Sequence, residues 1–194
     1  MFKKIILLTV IAMLFVAAQT GTAGAGIVTN GNFATDDFTG WTVGGDPNAL
    51  SLVLGQDDVL SNGYYAQFFT YGAPVTISQV LGTTSGQSYT VSFLLYNSAA
   101  SPSPVSSYNE FEALWDGTVI QPVHLTNAPG FNWTQFQFTV TGTGSDTLAF
   151  SLQQDGSNYN LTDVSADPVP LPAGLLLLGP GLAALGLVRR RIGN

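Results

Sequence analysis

The sequence predicts an all-β domain, an antiparallel β-sandwich of two packed sheets, held between two apolar chain ends. Between residues 26 and 168, strand-like runs recur about every ten residues and are separated by Gly, Pro, Asn and Ser. That spacing marks a sandwich or barrel. Within the runs apolar residues alternate with polar ones, so each strand has one face for a core and one for water. Outside the two ends there is no apolar stretch of helical period and useful length.

Residues 1–25 are expected to be a signal peptide. Lys3 and Lys4 give a short positive start, and Ile5 to Ala18 is an uncharged apolar run of fourteen residues. That is the length of a signal-peptide core and short for a membrane span. Ala23-Gly24-Ala25 supplies the small-x-small pattern that a signal peptidase requires, and cleavage after Ala25 would leave Gly26 first.

Residues 26–168 form the expected sandwich, long enough to bury a core. The strand candidates are 49–54, 64–70, 75–81, 88–96, 109–115, 119–125, 133–141, 146–152 and 159–165. Parity is clearest in three of them. Tyr89, Val91, Phe93 and Leu95 share one face; so do Phe136, Phe138 and Val140, with Gln135, Gln137 and Thr139 opposite; Leu148, Phe150 and Leu152 repeat the pattern. The run from Asn97 to Ser107 is polar and rich in Pro and Ser, which predicts an exposed loop.

Residues 169–194 form a third segment. Val169, Pro170, Leu171, Pro172 and Ala173 precede a span without charge from 173 to 188, followed by Arg189, Arg190 and Arg191. As a transmembrane helix, sixteen residues would be about 24 Å long, against a hydrocarbon core of about 30 Å. Pro180, between Gly179 and Gly181, would kink it. The arginines would hold the C-terminal end in the cytoplasm and leave the sandwich outside.

Charge divides the chain the same way. All five Lys and Arg lie at the ends and all twelve acidic residues lie between them. A domain with no Lys or Arg repels phosphate, DNA and RNA, which excludes nucleic acid as a partner. There is no cysteine, so neither disulfides nor thiol chemistry enter.

Two resemblances extend this reading. The VPLPA pentapeptide at 169–173, the short Gly/Ala/Leu span and the arginine cluster resemble the PEP-CTERM class of sorting signals of Gram-negative bacteria. Here Leu171 stands where the commoner form has Glu, and Ile192-Gly193-Asn194 follow the arginines. The resemblance implies processing by an integral-membrane exosortase, often alongside exopolysaccharide production. The second resemblance rests on Val28-Thr29-Asn30-Gly31-Asn32-Phe33 with Phe38-Thr39-Gly40-Trp41 at the start, and on Asn132-Trp133 and Leu161-Thr162-Asp163-Val164-Ser165 towards the end. These are similar to jelly-roll domains of the galactose-binding-like superfamily, which includes many carbohydrate-binding modules. That superfamily implies a structural calcium tying the first strand to the last, with Asn32, Asp36, Asp37 and Asp163 as the matching positions. Ala34 and Thr162 stand where acidic residues are usual.

Further candidate residues are sparse. Glu110 and Glu112, two apart on a strand, would project from one face about 7 Å apart. Alternation with Phe111, Ala113 and Trp115 puts them on a solvent face, away from any cleft in which paired carboxylates could work. His124 is the lone histidine and has no cysteine or nucleophile motif beside it. Tyr64, Tyr65, Phe68, Phe69 and Tyr71 cluster, and Tyr96, Tyr108, Trp115 and Tyr159 lie near expected loops. Exposed rings of this kind stack on the apolar faces of sugars; Phe residues and Trp41 are expected in the core. The expectation is an exported, exosortase-sorted protein of the cell surface or extracellular matrix. It would be non-enzymatic and structural or adhesive, in possible association with exopolysaccharide. The alternative is a secreted carbohydrate-binding module with a defined glycan ligand.

Overall fold

The computed structural model describes residues 26–54, 64–98 and 108–170. The expected signal peptide, with Ala23 and Ala25, lies outside them. So do Leu171, Pro172 and Ala173, the span that follows, Arg189 to Arg191, and most of the Pro/Ser-rich loop. Among the described residues no helix is long and apolar enough to cross a membrane. Ala25–Val169 forms one compact unit.

That unit is an antiparallel two-sheet sandwich of jelly-roll type. Eleven strands are described: β1 (Thr42–Gly44), β2 (Leu50–Leu54), β3 (Tyr64–Phe68), β4 (Val75–Leu81), β5 (Ser88–Asn97), β6 (Asn109–Trp115), β7 (Thr118–Val119), β8 (Leu125–Thr126), β9 (Phe131–Thr141), β10 (Asp146–Gln154) and β11 (Tyr159–Pro168). The first sheet runs β1-β4-β10-β6-β7, with β8 also paired to β6. The second runs β2-β3-β11-β5-β9. From β3 onward the chain crosses between the sheets at each step apart from the β6–β7–β8 run, and the closing strand β11 sits at the centre of the second.

Parity holds the sheets together. Phe93 and Leu95 of β5 and Leu148, Phe150 and Leu152 of β10 are all buried. Phe93 meets Phe150 edge to face at 5.1 Å and stacks on Phe136 at 5.7 Å, while Phe111 lies 6.0 Å from Phe150. Removing each such side chain from water contributes about 1.5–3 kcal/mol. These rings therefore dominate the contact between sheets.

The structure corrects the sequence reading in several places. The expected strand 119–125 is two short strands around a 3-10 turn, Gln121–Val123, because Pro122 has no N–H to give a ladder. β1 was not expected; its three residues are too few to show alternation. Asn97, expected to open the loop, is the buried last residue of β5. Trp115 and Tyr159, named among the rings near loops, are core residues, and Phe68 is in the core as expected for a Phe.

The N-terminal segment is ordered by Asn30. Its side-chain amide donates to Asp37 O and Thr39 O and accepts from Thr35 N, and its backbone carbonyl receives Trp41 Nε1. The segment is tied to β11 by backbone bonds, Val164 N to Gly31 O at 2.9 Å and Ile27 N to Ala166 O at 3.1 Å. Just past the same, C-terminal end of β11, Val169 donates to Ser88 O and accepts from Gln87 Nε2. The first residue of the pentapeptide is therefore still bonded to the edge of β5, and Pro170 is exposed.

Candidate functional site, an aromatic cleft on the second sheet

On β3, β5 and β9 every second residue that does not enter the core points outward, and the outward set of the second sheet is unusual. Tyr65 and Gln67 stand on β3, Asn160 on β11, Tyr96 on β5 and Trp133 on β9. Register lines them up: Gln67 faces Asn160, and Asn160 faces Tyr96. The β5–β9 ladder slips between Leu95 and Asn97, opposite the start of β9. Trp133 stands beside that irregularity, next to Tyr96.

Tyr65 and Trp133 belong to strands three places apart, about 14 Å at the usual strand spacing. Their ring centroids nevertheless lie 5.5 Å apart, edge to face, and Tyr96 lies 5.6 Å from Trp133. The rings lean over the sheet towards one another and wall a cleft of about 290 Å³ whose other lining residues are Gln67, Ser98, Asn158 and Asn160. A second hollow of about 330 Å³ shares Tyr96 and Ser98 and continues past Gly130, Phe131 and Asn132.

The floor is built of amides. Asn160 Oδ1 accepts from Asn158 Nδ2 at 2.7 Å and from Gln67 Nε2 at 3.4 Å. Ser98 Oγ donates to Asn158 Oδ1 and is itself an acceptor for Asn158 N. With these bonds made, Asn160 keeps its Nδ2 donors and Gln67 its Oε1 acceptor, the paired groups a sugar hydroxyl needs. Among the described residues no charged side chain lines either hollow.

A buried polar network holds the wall in place. Asn109 clamps Ala128 from both sides, donating Nδ2 to its carbonyl at 3.0 Å and accepting its N–H at 2.9 Å. Asn97 Nδ2 donates to Ala128 O and Pro129 O, and Tyr159 Oη donates to Asn109 Oδ1 at 2.8 Å. Burial pushes the Tyr159 phenol up, so it stays a donor. The segment that these side chains grip, 127–130, leads into β9 and sets where Trp133 begins.

Of the residues singled out from sequence, Tyr65 and Tyr96 enter the cleft. Phe69, Tyr71 and Tyr108 are exposed but are not among its lining residues. Trp133 was noted for its motif and not as a platform. Its odd-numbered parity with Gln135 and Gln137, opposite the Phe face, was the available signal. The amide floor had no sequence signal, because it requires the β3–β11–β5 register.

The expected calcium residues separate. Asn32 and Asp163 line one open hollow with Asn30 and Gly31; Asp36 and Asp37 do not line it. Asp37 is occupied in its own loop, accepting from Thr35 Oγ1, Thr39 N and Thr39 Oγ1, and those bonds hold its carboxyl below the usual range. Asp163 sits at positive φ in the β11 irregularity, and burial pushes its carboxyl up. The side-chain oxygens that this hollow could offer calcium are one carboxylate and two amides, with main-chain carbonyls beside them. The Gly31–Val164 bond joins the N-terminal segment to β11 at the same place.

Glu110 and Glu112 lie on the outward side of β6, in the other sheet. His124 Nε2 is 2.9 Å from Glu110 Oε1 and 3.7 Å from Glu112 Oε1. The His124 bond, and then a bond from Tyr108 Oη, hold the Glu110 carboxyl below its usual range. No local pattern of residues signals this meeting. It follows from the β6–β8 register, which pairs Glu110 with Thr126 and so brings residue 124 towards Glu112.

No family model matches the chain, and no curated protein matches it. Solved structures do. TmCBM61, solved in complex with β-1,4-galactotriose, superposes over 74% of this chain and 98% of its own, with a TM-score of 0.56 and 16% identity. The enzymatically active domain of bacteriophage CBA120 tailspike protein 4 matches over 74% of this chain and 21% of its own, with a TM-score of 0.54 and 12% identity. The CBM22-1-GH10 modules of Clostridium thermocellum endo-1,4-β-D-xylanase 10B, complexed with xylohexaose, match over 73% of this chain and 28% of their own, with a TM-score of 0.51 and 13% identity. At these identities the likeness is one of fold: the sandwich is the jelly roll found in carbohydrate-binding modules.

Proposed function

We propose that the sandwich is a glycan-binding module that takes a neutral polysaccharide segment into the Tyr65–Tyr96–Trp133 cleft. One observation carries this: three rings from three strands converge over a floor of paired amides, with no charge in the lining among the described residues. Aromatic walls offer apolar faces to sugar C–H groups, and the amides offer both donors and acceptors to hydroxyls. Support comes also from the fold, which this chain has in common with modules solved with galactotriose and xylohexaose. The absence of Lys and Arg from residues 26–168 favours uncharged glycans over polyanionic ones.

The setting we propose is extracytoplasmic. A signal peptide at 1–25 would export the chain, and the VPLPA-type segment at 169–194 would present it to an exosortase. This part rests on the sequence resemblance alone. In that setting the module would attach the cell surface or matrix to a neutral exopolysaccharide. The test is calorimetric titration of the full chain with neutral galacto- and xylo-oligosaccharides and with a polyuronate. Saturable binding to a neutral glycan, lost in Trp133→Ala, is expected. Binding of the polyuronate alone, or neutral binding that survives Trp133→Ala, would overturn the reading.

A further inference from the structure

We propose that Glu110, Glu112 and His124 form a binding site for one divalent transition-metal ion of the zinc kind, on the sheet opposite the glycan cleft. One ligand atom from each residue lies within 4.8 Å of the others, and all three side chains are half-buried. Taken pair by pair, an ion about 2.1 Å from both donors would see His124 and Glu110 at about 90° and His124 and Glu112 at about 120°, and a small side-chain adjustment brings all three onto one ion. An imidazole with two carboxylates favours zinc and its neighbours over calcium or magnesium, which take oxygen alone.

The donors stand on fixed elements. Glu110 and Glu112 are in β6, which is paired with β10 on one side and with β7 and β8 on the other. His124 closes the 3-10 turn with its N–H bonded to Gln121 O, beside buried Val123. Tyr108 Oη donates to Glu110 Oε2 at 2.7 Å, leaving Oε1 for the centre of the cluster. This outer bond orients a ligand as such bonds do in metal sites. No Lys or Arg exists in residues 26–168 to neutralise the two glutamates. On binding, the ion takes the place of the His124 Nε2–Glu110 Oε1 hydrogen bond, and Nε2 coordinates as the neutral imidazole protonated on Nδ1. Three protein ligands leave at least one position open to water.

His124 is the only histidine and the chain has no cysteine, so a single set of ring resonances reports on this site. The experiment is histidine-ring NMR of the untagged full chain titrated with zinc chloride alone. The ring signals should shift and saturate at one equivalent. Glu112→Gln should weaken binding by roughly tenfold or more without lowering the metal-free melting temperature, and Trp133→Ala should leave zinc affinity unchanged. Cobalt in place of zinc should give visible absorption bands. Ring signals that stay put in several-fold excess zinc would overturn the proposal, as would zinc affinity undiminished in His124→Gln, which would mark a diffuse counter-ion atmosphere.

Discussion

Trp133 touches both tyrosines of the cleft and, half-buried on the outward side of β9, is not part of the core cluster. Its removal should therefore separate binding from stability. Trp133→Ala is expected to weaken neutral-glycan binding roughly 30-fold, about 2 kcal/mol, as for a central aromatic anchor. The denaturant midpoint should barely move. Asn109 predicts the reverse ordering. It lies at the hub of the buried network, and Asn109→Ala would leave the Ala128 N–H and the Tyr159 hydroxyl without their acceptor, while the Ala128 carbonyl keeps only Asn97 Nδ2. That change should cost about 2–3 kcal/mol in chemical denaturation and weaken glycan binding as a consequence. Asn109→Asp would keep the acceptor and lose the donor, and should fall between. A full-strength Asn109→Ala protein with intact stability would show that the network does not hold segment 127–130.

At the scale of elements, two local devices carry measurable predictions. Gly31 lies against β11 so closely that a Cβ would sit 1.9 Å from Val164 O. Gly31→Ala must push the N-terminal segment off the closing strand, and a loss of several kcal/mol is expected, read as early exchange of the Val164 amide. The turn from β9 to β10 is held by Asp146, which is buried. Burial pushes its carboxyl up, but donors from Thr83 Oγ1 and from Thr143 N and Oγ1 outweigh it and bring the folded value down from 3.8 to about 2. As pH falls, the unfolded chain thus takes up this proton first. The stability that Asp146 contributes is whole above about pH 4 and drains away between about 4 and 2. Asp146→Asn should lower stability at neutral pH and flatten the acid limb over that window, measured by urea midpoints; an unchanged acid limb would count against the turn. Most strands were legible because each buries one face: alternation placed β4, β5, β6 and β10 within two residues of their ends. β1 and the break at Pro122 were not, since three-residue strands carry no period and the broken run still reads as apolar. The cleft was half legible. Parity could expose Tyr65, Tyr96 and Trp133 as outward rings, but their convergence across four strands depends on long-range register, which no local pattern encodes.

The whole molecule concentrates its negative charge in the sandwich, and among the described residues no charge lines the cleft. These two facts make salt act on folding and on binding differently. Twelve carboxylates with no Lys or Arg among them repel one another over tens of ångströms in dilute buffer. Raising salt from about 0.01 M to about 0.3 M shortens the screening length from roughly 30 Å to well under 10 Å. The melting temperature of the full chain should rise over that range, and millimolar calcium should act in the same direction as a more effective screen. Glycan affinity should change by less than about twofold over the same range, because neither the cleft nor a neutral sugar carries charge for salt to screen. A polyanionic glycan would behave oppositely, gaining affinity as salt relieves its repulsion from the domain. Calorimetric titration and thermal melts on the same samples decide the matter. A neutral-glycan affinity that falls steeply with salt would mean that the ligand engages a charged surface and not the aromatic cleft, whatever the melting curves do.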